Sequence, residues 1–256
     1  DDALAEADAL LNKKVAADDK MEFRPKTVRS AVKARPNANV AIISIAGRYA
    51  AEEAWECLFS GMHVLLFSDN VSKEDELALK NYGRDHGLLV MGPGAGTAVL
   101  NGVALAFANV IPAGPVGIVS AAGTGLQETS TLLAKNNVGI TQGIGTGGGD
   151  VKKEIGGIMY IEGLKALQAD PATKVILMVS KLPDIEVEKV LLEQVAASKK
   201  PTVICLIGGK TRDANIPANA VVCSTLEEAA LTAAKLAGAK IGDINEKIAK
   251  ETKEAE

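Results

Sequence analysis

Gly114–Asp150 reads GPVGIVSAAGTGLQETSTLLAKNNVGITQGIGTGGGD. Two apolar runs in it, Val116–Ser120 and Val138–Ile144, each end in a glycine-rich turn. Short unbroken apolar runs bounded by glycine predict strands of a parallel sheet, buried on both faces. The first turn, Ala121-Ala122-Gly123-Thr124-Gly125, passes directly into a helical pattern over Leu126–Lys135. A strand, a glycine turn and a helix in that order aim free backbone N–H groups and the positive end of the helix dipole at an anion. A phosphate or acyl-phosphate group is the natural occupant.

The same alternation extends in both directions. On the carboxyl side it predicts helix Ile158–Gln168, strand Val175–Val179, helix Ile185–Ser198, strand Thr202–Ile207, strand Ala220–Cys223 and helix Leu226–Ala237. Five strands with helices between them suit a flavodoxin-like, doubly wound α/β sheet. On the amino side, Pro112 and Pro115 flank Ala113-Gly114 and mark a domain boundary. Before it the pattern predicts helix Thr27–Arg35, strand Val40–Ile45, helix Ala50–Ser60, strand His63–Phe67, a helix opened by Ser72 with Asp75 in a capping pattern, and strand Leu88–Met91. A further helix is expected over Asp1–Lys20. Residues 1–112 thus read as a Rossmann-like unit, 113–240 as the flavodoxin-like one and 241–256 as a charged tail. The first unit is expected to be truncated, because nothing before Val40 supplies an opening strand with a glycine fingerprint.

Composition narrows the function. Lys plus Arg number 28 against 32 Asp plus Glu, a net charge of −4, which argues against nucleic acid as a partner. Aromatics are only 3% of a chain that is 47% hydrophobic, so the core is aliphatic. No apolar run is long enough for a membrane helix, and the acidic start is unlike a signal peptide. Cys57, Cys205 and Cys223 are odd in number and far apart, and read as buried thiols of a cytoplasmic protein. Neither they nor His63 and His86 have metal-ligand spacing, so no metal is expected.

In an open parallel sheet, ligands bind beyond the carboxyl ends of the strands. Ser120, Gly123, Thr124 and Gly125 follow the first strand of the second unit, and Gly147, Gly148, Gly149 and Asp150 follow the second. These glycines and hydroxyls are the candidate phosphate site. Lys181, directly after the third strand, is the candidate catalytic cation, and Asp150 the candidate acid–base group.

GIVSAAGTGLQE, followed by GIGTGGGD and YIEGLKALQADPATKVILMVSKLP, resembles the FdrA proteins, relatives of the succinyl-CoA synthetase α subunit. FSDNVSKEDELALKNYGRDHGLLVMGPGAGT and NGVALAFANV are similar to FdrA sequence too, so the likeness runs from about Arg24 to Ala237. The resemblance implies a CoA-binding-type domain followed by a ligase-type domain. It places phosphoryl oxygens at Gly123, Thr124 and Gly125, and a cofactor-contacting turn at Gly92-Pro93. It also implies carbamoyl transfer between oxamate and phosphate in purine nitrogen breakdown, with phosphate or carbamoyl phosphate as ligand and no required cofactor. A partner subunit or homo-oligomer is expected. Two other roles follow from the same likeness: a subunit of an acyl-CoA synthetase, binding CoA, and a non-catalytic assembly subunit. The sequence departs from the synthetase pattern at several points. No histidine follows His86, Gly208–Asn215 stands where the phosphohistidine loop belongs, and Ser180-Lys181-Leu182-Pro183 replaces an EIGG turn. Gly94-Ala95 stands where FdrA proteins commonly carry Asp-Cys.

Overall fold

The computed structural model describes residues 3–6, 25–209, 211 and 215–255. The chain divides into two compact units, Asp1–Asn37 and Ala38–Glu256. In the first, residues 3–6 are helical and the rest of the helix expected over Asp1–Lys20 lies outside the described residues. Helix α1 (Val28–Ala34) is closed by a capping box: the Thr27 side chain accepts from Ser30 N–H, and the Ser30 hydroxyl from Thr27 N–H.

The second unit holds two sheets. The first is parallel and three-stranded, in the order β1-β2-β3, with β1 Val40–Ile43, β2 His63–Leu66 and β3 Val90–Met91. Helices α2 (Gly47–Phe59) and α3 (Lys73–Asp85) make the crossovers. Ser72 caps α3 as its sequence predicts, its hydroxyl accepting from Asp75 N–H at 3.0 Å. One expectation fails here. As an apolar run broken only by Ser44, Val40–Ile45 reads as a strand buried on both faces, but Ile42 is 50% and Ile45 45% exposed. The reason is position: among the described residues β1 pairs only with β2 and so is an edge strand.

The second sheet has seven strands in the order β10-β9-β8-β6-β7-β4-β5. These are β4 Thr97–Leu100, β5 Val103–Ala106, β6 Ala113–Ser120, β7 Ile140–Gly145, β8 Val175–Lys181, β9 Thr202–Ile207 and β10 Ala220–Cys223. Strands β6 to β10 are parallel and give the doubly wound, flavodoxin-like order that the alternation predicts. The hairpin β4–β5 pairs antiparallel to β7 at Val99–Gly143 and extends the sheet. It precedes the Asn109–Pro115 segment, yet its strands belong to the second sheet.

Helices α4 (Gly123–Lys135), α5 (Ile158–Ala169), α6 (Ile185–Ala196), α7 (Leu226–Leu236) and α8 (Ile244–Ala255) complete the unit. The central strands are buried throughout: Val175 to Ser180 of β8 and Thr202 to Leu206 of β9. The two faces of the sheet carry separate hydrophobic cores, one centred on Tyr160, Leu164 and Met178, the other on Leu126, Leu133 and Leu177. Among the described residues no helix is long and apolar enough to cross a membrane.

Cys57, Cys205 and Cys223 are buried free thiols. Burial, reinforced by neighbouring acidic groups for Cys57 and by Cys223 and Glu228 for Cys205, pushes both thiols up to about 11. Thiolate is the reactive form, so the folded chain resists alkylation at pH 8. Mass spectrometry should find these two positions labelled by iodoacetamide far more slowly in buffer than in guanidinium. Equal rates would contradict the burial.

Candidate functional site

The strand order reverses between β6 and β8, which both lie beside each other while their connections leave in opposite directions. Such a switch point opens a crevice beyond the carboxyl ends of the strands. Three turns gather at this end of the strands. The first follows β6. Ser120 is fully buried; its Oγ accepts from Ala122 N–H at 3.0 Å and donates to Ala122 C=O at 2.8 Å. That hydroxyl is occupied in shaping the turn. Ala122 is the N-cap of α4, and no side chain caps the helix. An uncapped N-terminus leaves the first-turn N–H groups open to a ligand. Gly123 is half-buried and Thr124 exposed at this tip. Gly125 is buried, and a Cβ there would lie 2.8 Å from Val179 Cγ1, so glycine is what lets α4 start so close to the sheet.

The second turn follows β7. Thr146 N–H donates to Ser120 C=O at 2.8 Å, tying it to the first. Gly147 has φ +84°, and a Cβ on it would come within 2.5 Å of Pro93 O. Gly148 is exposed and passes near the first turn, its Cβ position 3.7 Å from Ala121 O. Gly149 abuts the Glu76 carboxylate. The third turn follows β3. Gly92 N–H donates to Thr146 C=O at 3.2 Å, and Gly92–Pro93 is a cis peptide. The Gly92-Pro93 turn therefore backs the glycine triplet, and all three turns share one edge. Lys181 ends β8 on that edge, exposed and in register with Ile207 of β9. Beside it Ser180 is buried with no hydrogen-bond partner for its Oγ, the one such side-chain atom among the described residues.

Asp150 occupies a different place from the other candidates. It is fully buried, with Oδ2 accepting from Tyr160 N–H at 2.6 Å and Oδ1 from Met159 N–H at 3.2 Å. It thus anchors the first turn of α5 beneath the glycine loop. Its third partner is Lys80 of α3, Nζ to Oδ1 2.9 Å. Lys80 is itself fully buried and also donates to Glu76 Oε1 at 2.7 Å and Thr146 C=O at 3.1 Å. One ammonium group therefore ties the first sheet's helix to both ends of the glycine loop. Sequence reading missed it, although a signal exists. Glu76, Leu79, Lys80 and Gly83 form the buried stripe of α3, so a lysine stands on an apolar face four residues after a glutamate. Gln127 and Thr97 were also missed: Gln127 Nε2 donates to Thr97 Oγ1 at 2.9 Å, beside Gly123.

A second recess, about 590 Å³, lies beyond the carboxyl ends of β1 and β2, bounded by Ser44, Ala46, Ser68, Gly94 and Phe107. Neither histidine is on this edge. His63 opens β2 at its amino end, and His86 caps the C-terminus of α3. Among the described residues no His, Cys, Asp and Glu cluster could hold a metal ion.

Residues 113–208 match the family model described as CoA binding domain, which spans β6 to β9 and so contains two of the three turns. The fold is CoA-ligase-like. The chain is 43% identical over 237 residues to YahF of Escherichia coli K12, an uncharacterized protein, covering 93% of this chain and 46% of that one. It is 27% identical over 189 residues to subunit alpha 1 of the ADP-forming succinate–CoA ligase of Archaeoglobus fulgidus, covering 72% of this chain and 62% of that subunit. Among solved structures, ATP citrate lyase from Methanothrix soehngenii, in complex with citrate and coenzyme A, superposes with a TM-score of 0.62 at 22% identity, over 85% of this chain and 38% of that one. A dinucleotide-forming acetyl-coenzyme A synthetase from Ca. Korarchaeum cryptofilum gives 0.62 at 15% identity, over 80% and 49%. These likenesses show an α-subunit-type acyl-CoA ligase fold. The chain spans 46% and 62% of the length of the two curated relatives named.

Proposed function

We propose that this chain is an FdrA-type component of an enzyme that handles an acyl-phosphate, and that phosphate or carbamoyl phosphate binds at the N-terminus of α4. The observation that carries the reading is the uncapped α4 start at the switch point, with the Gly147–Gly149 loop packed beside it. The reaction is carbamoyl transfer between oxamate and phosphate. A phosphate oxygen attacks the carbamoyl carbon of carbamoyl-oxamate, the C–N bond to oxamate breaks, and the oxamate nitrogen takes the proton that phosphate gives up. The N–H groups of Gly123, Thr124 and Gly125 hold the phosphate. Those of Gly147–Gly149 stabilise the oxyanion that develops on the carbamoyl oxygen. Lys181 adds positive charge, and Asp150 acts through the loop it anchors. The transfer as written requires no metal or redox cofactor. A phosphohistidine relay has no support within the chain, because its two histidines lie off this edge.

A second reading has its own observation in the 590 Å³ recess beside Gly94. There CoA would bind against the Gly92-Pro93 turn, and the chain would serve as an acyl-CoA synthetase subunit working with a nucleotide-binding partner subunit.

Thermal unfolding separates the two. A ligand at a hundred times its dissociation constant stabilises the folded state by about 2.7 kcal/mol, which raises Tm by roughly 5–10 °C for a chain of this size. Phosphate and carbamoyl phosphate are expected to give that rise. A rise with CoA alone selects the second reading. No shift with phosphate or carbamoyl phosphate, at concentrations up to tens of millimolar, removes the first.

A further inference from the structure

At the edge opposite the glycine turns, a cavity of about 510 Å³ opens between the amino ends of β1–β3 and the β4–β5 hairpin. Val40, Leu89, Leu100, Leu105, Ile144 and Leu167 make its wall apolar. That volume falls within the range of roughly 300–1,000 Å³ typical of small-molecule sites. Most of the polar side chains that reach it are already paired. Gln142 Nε2 donates to Asn101 Oδ1 at 2.8 Å, and Asn101 N–H donates to Gln142 Oε1 at 2.8 Å. Asp170 accepts from Ala172 N–H at 3.0 Å and from the Thr173 hydroxyl at 2.7 Å. Asn39 is exposed.

His63 is half-buried, and one of its two ring nitrogens is paired. Its Nδ1 accepts Leu89 N–H at 2.9 Å. That bond leaves the proton of the neutral ring on Nε2. Burial also holds the imidazole below its ordinary range, so the ring stays neutral at pH 7. The result is a fixed N–H donor at the wall of an apolar cavity, with no partner for it among the described residues.

We propose that this cavity is a binding site for a small, uncharged, largely apolar molecule carrying one hydrogen-bond acceptor, held by His63 Nε2–H. The lining selects that class from both sides. Among the described residues no lysine or arginine lines the cavity, so a carboxylate entering it is desolvated without a counter-charge. A hydrocarbon with no acceptor covers the imidazole N–H and leaves it unpaired. The site lies away from the α4 turn and stands independently of the proposed carbamoyl transfer.

The test is a titration of methyl-labelled protein, followed by NMR, with benzamide, toluene and benzoate as probes. Benzamide is expected to shift the methyl signals of Leu100, Leu105 and Leu167 saturably. Toluene and benzoate are expected to bind at least fivefold more weakly. Two variants locate the site. His63→Asn keeps an acceptor for Leu89 N–H but removes the Nε2 donor, and should weaken benzamide at least fivefold. Ala166→Leu puts a larger side chain into the lining and should abolish binding. If His63→Asn does not fold, the comparison of benzamide with toluene on the native chain reads the same donor. Phosphate should stabilise both folded variants as it does the native chain, which keeps this result separate from that of the proposed function. Absence of saturable shifts, equal affinity for toluene, or unchanged binding in Ala166→Leu would overturn the proposal.

Discussion

Lys80→Met is expected to lower the unfolding free energy by about 3–5 kcal/mol, the cost of removing one partner from a buried ion pair. Lys80 has no exposed side-chain surface, and its ammonium is the counter-charge for two carboxylates, Glu76 at 2.7 Å and Asp150 at 2.9 Å. Methionine fills a similar volume, so the loss is electrostatic rather than a cavity effect. Asp150 keeps its two backbone donors from α5, which limits the damage on that side. Among the described residues no backbone N–H donates to the Glu76 carboxylate. Adding Glu76→Gln to Lys80→Met should therefore return part of the loss, because the remaining buried charge is reduced by one. Denaturant midpoints measure this, and Tm should fall by roughly 10 °C for the single variant. The loop should suffer as well as the fold. Lys80 also holds Thr146 C=O, so the variant should bind phosphate less tightly even at a temperature where it is fully folded. A Lys80→Met chain within about 1 kcal/mol of the native one would show that this network does not bind α3 to the glycine loop.

The same network marks the limit of what the sequence discloses. Strand and helix periods predict the five parallel strands of the second sheet, because β8 and β9 are apolar runs and β6 carries the apolar stretch Val116–Val119. The glycine turns were legible for the same reason. What escaped notice depends on partners distant along the chain. The β4–β5 hairpin is not marked by alternation, since Thr97–Leu100 and Val103–Ala106 are small and apolar on both faces, and only pairing with β7 gives them a sheet to join. Asp150 looked like a catalytic carboxylate because it ends a glycine run. Its burial comes from Lys80, seventy positions earlier, and from α5 folding back over it. Ser120 similarly looked like an anion ligand, while its hydroxyl is closed on Ala122 within its own turn. Exposed edge strands are also invisible to composition: β1 reads like an inner strand and is exposed because of where it pairs.

Gly147→Ala should be the most damaging single-methyl change within the Gly147–Gly149 loop. Two costs add there. The backbone has φ +84°, where any residue with a Cβ loses roughly 1–2 kcal/mol. The new Cβ would also stand 2.5 Å from Pro93 O and 2.9 Å from Gly92 Cα, both backbone atoms that cannot rotate away. Overpacking of this kind costs about 1–3 kcal/mol more. Gly87→Ala separates the terms, because Gly87 has φ +68° but nothing within 4 Å of its Cβ position. It should lose only the backbone part. The difference between the two midpoints then measures how tightly the glycine loop is seated on the Gly92-Pro93 turn. Function should divide in the same way. Moving the loop off that turn displaces the N–H groups of Gly148 and Gly149, so phosphate should protect the Gly87→Ala chain against heat and fail to protect the Gly147→Ala chain. Equal losses in the two variants would mean that the third turn does not support the loop. Full phosphate protection in Gly147→Ala would confine the anion to the α4 turn and remove Gly147–Gly149 from the site.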